Sequence, residues 1–155
     1  GAHEVVDIGY VVVTSPAGLT FCCVSQPASR PAAPVDWADG GRSIVDQVCI
    51  DVPRASYDVE ADFWQSLLGW ERVGSGRREF ERLVRPHGQT VRVLLQRLEE
   101  RDGPARAHLD LGCEGREAET RRHVRLGATV SSVEEWWTVL RDPAGAAYCI
   151  TDRTP

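Results

Sequence analysis

Residues 107–151, AHLDLGCEGREAETRRHVRLGATVSSVEEWWTVLRDPAGAAYCIT, decide the fold. Ala107–Cys113 alternates polar and apolar side chains and reads as a strand. A helix follows from about Arg116 to Leu126, with Gly127 placed to stop it. Three short β-rich runs come next, at Thr129–Ser131, Trp136–Leu140 and Ala147–Thr151. Asp142-Pro143-Ala144-Gly145 turns the chain between the last two.

Working upstream, the same order appears once more. Ile44–Val52 reads as a strand ended by Pro53. A helix from about Ser56 to Leu68 lies in ASYDVEADFWQSLLGW, residues 55–70. Val59, Phe63 and Leu67, with Trp64 and Leu68, recur at three and four residues and make one apolar stripe. This stripe predicts that Phe63, Trp64, Leu67 and Leu68 are core. Asp58 and Glu60 sit where the helix dipole favours acids, and Gly69 ends the helix. Strand runs near Glu71–Val73, Glu79–Val84 and Val91–Leu98 complete the set before Asp102-Gly103-Pro104 breaks it. The fold class is therefore α+β, with a strand–helix–three-strand module at about residues 43–101 and again at about 105–152.

Residues 1–24 hold two further β-rich runs, Tyr10–Thr14 and Leu19–Val24, around Ser15-Pro16-Ala17-Gly18. They align residue by residue with the last two strands: Pro16 with Pro143 and Cys22 with Cys149, each 127 positions apart. The segment reads as a hairpin, the tail of an earlier copy of the unit. Two strands alone are marginal in water, so it is expected to pair with a sheet of the domain or of a neighbouring chain. Residues 25–42, with three prolines and two glycines, read as a linker.

A chain of 155 residues fits one domain with an appendage. Its 42% hydrophobic and 26% charged residues are those of a globular protein. Eighteen basic against 23 acidic residues, net −5, argue against a nucleic-acid partner. No apolar run reaches the ~20 residues of a membrane helix, and no secretory signal opens the chain. Five cysteines, an odd number with Cys22 and Cys23 adjacent, suggest reduced thiols and a cytoplasmic location. There is no methionine, so Gly1 is expected to be a processing scar or the cut end of something longer. A homodimer is left open.

Alternation gives each strand two faces. Val48, Ile50 and Val52 share one face, and Gln47, Cys49 and Asp51 the other. In the equivalent later strand Leu109, Leu111 and Cys113 oppose His108, Asp110 and Gly112. The apolar faces suit the helices. The polar faces either line a wet cavity or face solvent, and alternation alone does not choose.

LLGWE at 67–71, AHLDL at 107–111, RLGA at 125–128 and WTVLRDPAGAAYCI at 137–150 together resemble the vicinal oxygen chelate superfamily. This is the glyoxalase, bleomycin-resistance and extradiol-dioxygenase group, and the nearest likeness is its glyoxalase-like branch. The resemblance covers residues 43–152, and residues 1–24 as the end of a preceding copy. It implies two βαβββ modules whose curved, partly open mixed sheet wraps a shared cavity, helices outside. It also implies metal ligands on the opening and closing strand of each module. The opening positions are Gln47 and His108. The closing position of the second module, usually a glutamate, is Cys149, and that of the first is Gln96 or Arg92. The implied pocket thus takes in Gln47, Cys49, Gln96, His108, Asp110, Trp137 and Cys149, with Gln47 and His108 as the metal candidates.

One imidazole, one thiol and two amides suit a hard divalent ion poorly, although Asp110 shares the face of His108 and can supply a carboxylate. The resemblance then implies a small-molecule binding protein without a tightly bound catalytic metal, its pocket empty of metal or holding one weakly. A metal-dependent lyase, isomerase or dioxygenase, and a degenerate domain with an interaction role, are the alternatives. No catalytic residue is assigned. Cys149 reads as an inert buried thiol rather than a nucleophile, and His123 as a partly buried structural histidine. His87 reads as a solvent-facing turn residue, while His3 lies near the chain start. Arg116, Arg121, Arg122 and Arg125 read as a solvated helix face. Of Trp136 and Trp137, one is expected under the helix and the other on the cavity wall.

Overall fold

The computed structural model describes residues 9–25, 32–38 and 41–155. In chain order the elements are β1 (Tyr10–Thr14), β2 (Thr20–Val24), β3 (Val35–Trp37), β4 (Gly41–Val52), α1 (Tyr57–Leu68), β5 (Arg72–Gly74), β6 (Phe80–Leu83) and β7 (Arg92–Arg97). They continue with β8 (Arg106–Glu114), α2 (Arg116–Arg125), β9 (Thr129–Val133), β10 (Trp137–Arg141) and β11 (Ala147–Thr151). The class is α+β, and strand–helix–three strands occurs twice, as β4-α1-β5-β6-β7 and β8-α2-β9-β10-β11. Both runs hydrogen-bond in the same order, β5-β6-β7-β4 and β9-β10-β11-β8. The sheet is mixed: β11 lies parallel to β8, while β10 is antiparallel to β11 and β9.

The chain forms two compact units. The described part of the first is residues 9–25, Ile50–His87 and Leu94–Ala107; that of the second is 32–38, 41–49, Gly88–Val93 and His108–Pro155.

In the first unit α1 begins where Pro53 can no longer extend a ladder. The carbonyl of Ser56 takes the first helical bond from Glu60 N–H. The helix ends at Gly69, whose φ of 66° is left-handed and favours glycine. It buries Tyr57, Glu60, Ala61 and Trp64. This corrects the stripe read from hydrophobicity: Leu67 is 46% exposed, Val59 is exposed too, and Phe63 and Leu68 are only half-buried. The physical reason is Glu60, a charged residue held in the interior by two donors. Its Oε1 accepts the Trp64 indole N–H at 2.7 Å and its Oε2 the Ala17 backbone N–H at 2.8 Å. The buried face therefore runs through an acid that hydropathy alone assigns to solvent.

β1 and β2 pair from Tyr10↔Val24 to Thr14↔Thr20, and β10 and β11 from Trp137↔Thr151 to Arg141↔Ala147. The two hairpins match pair for pair at the 127-residue offset. Their turns match as well: Gly18 N–H donates to Ser15 O at 3.0 Å and Gly145 N–H to Asp142 O at 2.9 Å, with φ of 88° and 89° at the two glycines. The docking surface within the chain is a helix rather than a sheet. β1 and β2 form a two-stranded sheet that no other described strand joins. The hairpin instead docks on α1: Phe21 stacks against Trp64 and Phe63, with ring centroids 4.8 and 6.1 Å away. Ala105 N–H also donates to Ala17 O at 2.7 Å.

In the second unit β3 lies inside the stretch read as a linker and pairs antiparallel with β4. It is held there by Trp37, whose indole N–H donates to Ser43 Oγ at 2.8 Å and whose ring carries the Arg122 guanidinium at 3.8 Å. Residues 26–31 and 39–40 of that stretch, and residues 1–8 with His3, lie outside the described residues. The apolar core is Cys113, Ala128, Leu140 and Ile150, with Tyr148 packed against it. The solvated arginine face of α2 needs correction. Arg121 and Arg125 are exposed, but Arg122 chelates the buried Glu119 at 2.7 and 2.9 Å. Arg116 donates to the carbonyls of Glu134 and Glu135 and pairs with Asp152 at 3.2 Å. For Arg122 the acceptor is a buried carboxylate, whereas Arg116 is held by acceptors at the surface.

Candidate functional site

The candidate site lies wholly in the second unit and is built on three adjacent strands. Gln47 and Cys49 come from β4, His108 and Asp110 from β8, and Cys149 from β11. Period-two alternation puts His108 and Asp110 on one face of β8. The parallel ladder sets Cys149 opposite Asp110 and Tyr148 opposite Leu109. Local sequence dictates this closeness: Gly112 admits the Arg153 carbonyl, which a Cβ there would meet at 3.0 Å. Arg153 in turn chelates Asp46 at 2.6 and 3.1 Å, pinning β4 one residue before Gln47.

Gln47 Nε2 donates to Asp110 Oδ2 at 2.5 Å. His108 Nε2 stands 3.4 Å from the other carboxylate oxygen, Asp110 Oδ1. One donor atom each from His108, Asp110 and Cys149 lie within 4.8 Å of one another. Gln47, Asp110 and Cys149 are 6%, 4% and 8% exposed. The His108 side chain, at 14%, is the most open of the group. Burial pushes the Cys149 thiol up from its ordinary value, the neighbouring imidazole pulls it back in part, and the Asp110 charge pushes it further. Asp110 Oδ1 is buried and makes no hydrogen bond.

The polar sides of β4 and β8 are thus more enclosed than a solvated sheet face. Among the expected residues, Gln47, His108 and Asp110 meet directly, and Cys149 joins them. Cys49 is buried two residues beyond Gln47. Trp137 is half-buried at the start of β10, on the same face as Val139, the register partner of Cys149. Gln96 is half-buried on β7 in the first unit. The tryptophan expectation is corrected for Trp136, which is 57% exposed and lies under no helix. It precedes β10, and its carbonyl accepts the Asp152 N–H at 3.2 Å.

A second buried network escaped the sequence reading. Glu119 accepts from Ser43 Oγ at 2.6 Å and from Arg122, and lies 3.2 Å from His123 Nε2. His123 Nδ1 is 2.9 Å from Tyr148 Oη. Burial pushes the Glu119 carboxyl up, but hydrogen bonds from Arg122 and Ser43 overcome this and lower it to about 2. Burial lowers His123, with Glu119 opposing in part. The spacing of Glu119 from Arg122 and His123, three and four residues on a helix, was the available signal. The network ties α2 to β4, β3 and β11, and His123 is a half-buried member of it.

The ion implied by the superfamily can be tested against these donors. A hard ion needs several oxygens, and the amide N–H of Gln47 is already committed to Asp110. The converging set is one nitrogen, one carboxylate oxygen and one sulfur. The His108–Asp110 separation of 3.4 Å is that of two donors on a tetrahedral ion with bonds of roughly 2.0–2.3 Å. Oδ1, which makes no hydrogen bond, supplies the carboxylate missing from the closing strand. These residues fit a borderline-soft ion of the zinc class.

A model of the glyoxalase-like domain family matches residues 47–151, more than half of the chain. Among solved structures, a point mutant of glyoxalase I from Zea mays is similar at 14% identity, with a TM-score of 0.36. That match covers 92% of this chain and 53% of the other, so the chain spans about half the length of that relative. No curated protein matches the chain.

Proposed function

Because the chain belongs to the glyoxalase-like domain family, we propose that it is a small-molecule binding protein whose ligand meets the buried cluster of His108, Asp110 and Cys149. One observation carries this reading: Asp110 Oδ1 is buried without a hydrogen bond. An unsatisfied buried acceptor costs about 1–3 kcal/mol, and most are paired in folded proteins. A donor on a ligand recovers that cost. Gln47 holds the other oxygen and so fixes the direction in which Oδ1 points. His108, the most open member, is the side from which a ligand arrives. The neutral Cys149 thiol offers a polarisable wall rather than a nucleophile. A divalent ion, when bound, supplies Lewis-acid polarisation of a ligand oxygen. The reading assigns no bond-breaking step.

The test is a thermal-shift screen of small polar metabolites against the metal-stripped chain and its Asp110→Asn variant. The expected result is a ligand that raises the melting temperature of the parent and not of the variant. Hits that stabilise both alike, or none at all, would remove the reading.

A further inference from the structure

We propose that the outer edge of β2 is a seat for a parallel strand, and that its occupant is the opening strand of a further strand–helix–three-strand module that precedes β1 in the polypeptide. The backbone of the N-terminal hairpin carries the argument. Ser15 N–H donates to Leu19 O at 2.8 Å and Ser25 N–H to Gly9 O at 3.3 Å, one bond at each end of the ladder. Antiparallel pairs alternate between bonded and non-bonded residues. Val13↔Phe21 and Val11↔Cys23 are therefore the bonded pairs between these ends. Thr20, Cys22 and Val24 turn their N–H and C=O groups away from β1. The same two end bonds recur 127 residues later, from Asp142 N–H to Ala146 O at 2.9 Å and from Asp152 N–H to Trp136 O at 3.2 Å. There the outward residues are Ala147, Cys149 and Thr151, and the strand on that side is β8, parallel, with Asp110 opposite Cys149 and Gly112 opposite Thr151. No described strand takes the corresponding place beside β2.

Nothing blunts this edge. Sheets protect open edges with charge, proline, bulges or very short strands. β1 and β2, YVVVT and TFCCV, carry no charge and no proline, and their register is unbroken. By contrast β5 is three residues long and opens on Arg72, and β9 shifts register against β10. The side of the hairpin away from Phe21 and α1 shows Val24 at 62% exposed, with Tyr10, Val12 and Cys22 exposed beside it. The repeat also names the occupant. β8 alternates His108 and Asp110 with Leu109 and Leu111, and a strand of that pattern sets a polar residue opposite Cys22 and an apolar one opposite Phe21. A second copy of the chain has no such strand to offer: β4 is already paired with β7 and β8, and β8 with β4 and β11. In both modules the opening strand comes before the hairpin it flanks, so the occupant comes before β1. Strand addition of this kind takes its affinity from main-chain bonds and its specificity from alternate side chains.

The experiment uses the full chain, labelled with nitrogen-15, and a synthetic peptide of the β8 sequence Arg106–Glu114 carrying Cys113→Ser, blocked at both ends. Adding the peptide to millimolar concentration should shift the amide resonances of Thr20, Cys22 and Val24 and leave those of β9 in place. A nitroxide at the N-terminal end of the peptide should broaden Thr20 more than Val24, as parallel docking requires. Cys22→Pro removes an outward N–H without removing a bond to β1, a position where an edge strand accepts proline. It should abolish the shifts. If Cys22→Pro does not fold, the direction of the nitroxide broadening decides. No shift on β2, broadening strongest at Val24, or shifts that persist in folded Cys22→Pro would each overturn the proposal. Dimerisation of the chain alone that perturbs the same three amides would assign the edge to a second copy and overturn it as well.

Discussion

Glu60 of α1 accepts the backbone N–H of Ala17 at 2.8 Å across 43 residues of sequence. The same carboxylate takes the Trp64 indole N–H, so one buried acid joins the turn of the N-terminal hairpin to the helix and to its aromatic cluster. Replacing it strands two buried donors at once. Glu60→Ala should cost about 2–6 kcal/mol, from about 1–3 per unsatisfied group. Glu60→Gln, which retains one acceptor, should cost less. Urea unfolding of the two variants checks the order; equal costs would mean that the Ala17 bond contributes nothing.

The burial of α1 separates two leucine-and-tryptophan substitutions that hydropathy treats alike. Trp64 is buried and stacked on Phe21 and Phe63, so Trp64→Ala should cost about 3–5 kcal/mol. Leu67 is half exposed, and Leu67→Ala should fall near the ±0.5 kcal/mol of ordinary surface changes. Denaturant midpoints of the two variants decide this. A large loss at Leu67 would mean that its side chain packs against a surface outside the described residues.

Much of the fold was legible because it is written in periodicity. His108 to Cys113 alternates, Arg116 to Leu126 closes on a glycine, and the 127-residue repeat predicted a hairpin that forms with the same register as its counterpart. The module order followed from these local signals. What was not legible depends on long-range polar pairing. Glu60 and Glu119 are buried only because donors from distant segments reach them, and no window of sequence contains both partners. Trp37 sits among prolines, and only its bond to Ser43 and the Arg122 stack reveal β3. In the candidate site, alternation placed Gln47, His108 and Asp110 on the polar faces. That Gln47 spends its amide on one oxygen of Asp110, while Oδ1 makes no hydrogen bond, required coordinates.

The second buried acid predicts an acid-labile unit. Glu119 titrates at about 2 in the fold against an ordinary 4.5, so it contributes stability above 4.5 that is lost as pH falls towards 2. His123, lowered below its ordinary 6.5, acts in the same sense: the unfolded chain takes up the proton first as pH falls below 6.5. Its neighbours are Glu119, the Arg122 guanidinium and Tyr148 Oη. Unfolding free energy measured from pH 7 to 3 should therefore decline in two stages. His123→Asn should remove the upper stage. Glu119→Ala should flatten the lower one while costing about 3–5 kcal/mol near neutrality, because Arg122 is left without its buried partner. A pH profile unchanged in both variants would contradict the assignment.

Cysteine chemistry offers the last prediction, and it bears on the site. Cys22 and Cys23 are exposed on β2, whereas Cys49, Cys113 and Cys149 are buried. Burial raises the Cys113 thiol to about 11 and also pushes Cys149 up, where the His108 imidazole offsets only part of the effect. Alkylation requires thiolate and access together. Iodoacetamide at neutral pH should then label Cys22 and Cys23 quickly and the other three only after unfolding. Mass spectrometry of tryptic peptides reads each position separately. If Cys149 labels as fast as Cys22 in the native chain, its thiol is ionised and accessible. The neutral thiol wall described for the site would then give way to a reactive cysteine beside His108. Labelling that stops at two cysteines in the native chain and reaches five in denaturant keeps Cys149 as a protected thiol, available to a ligand or an ion only from within the cluster.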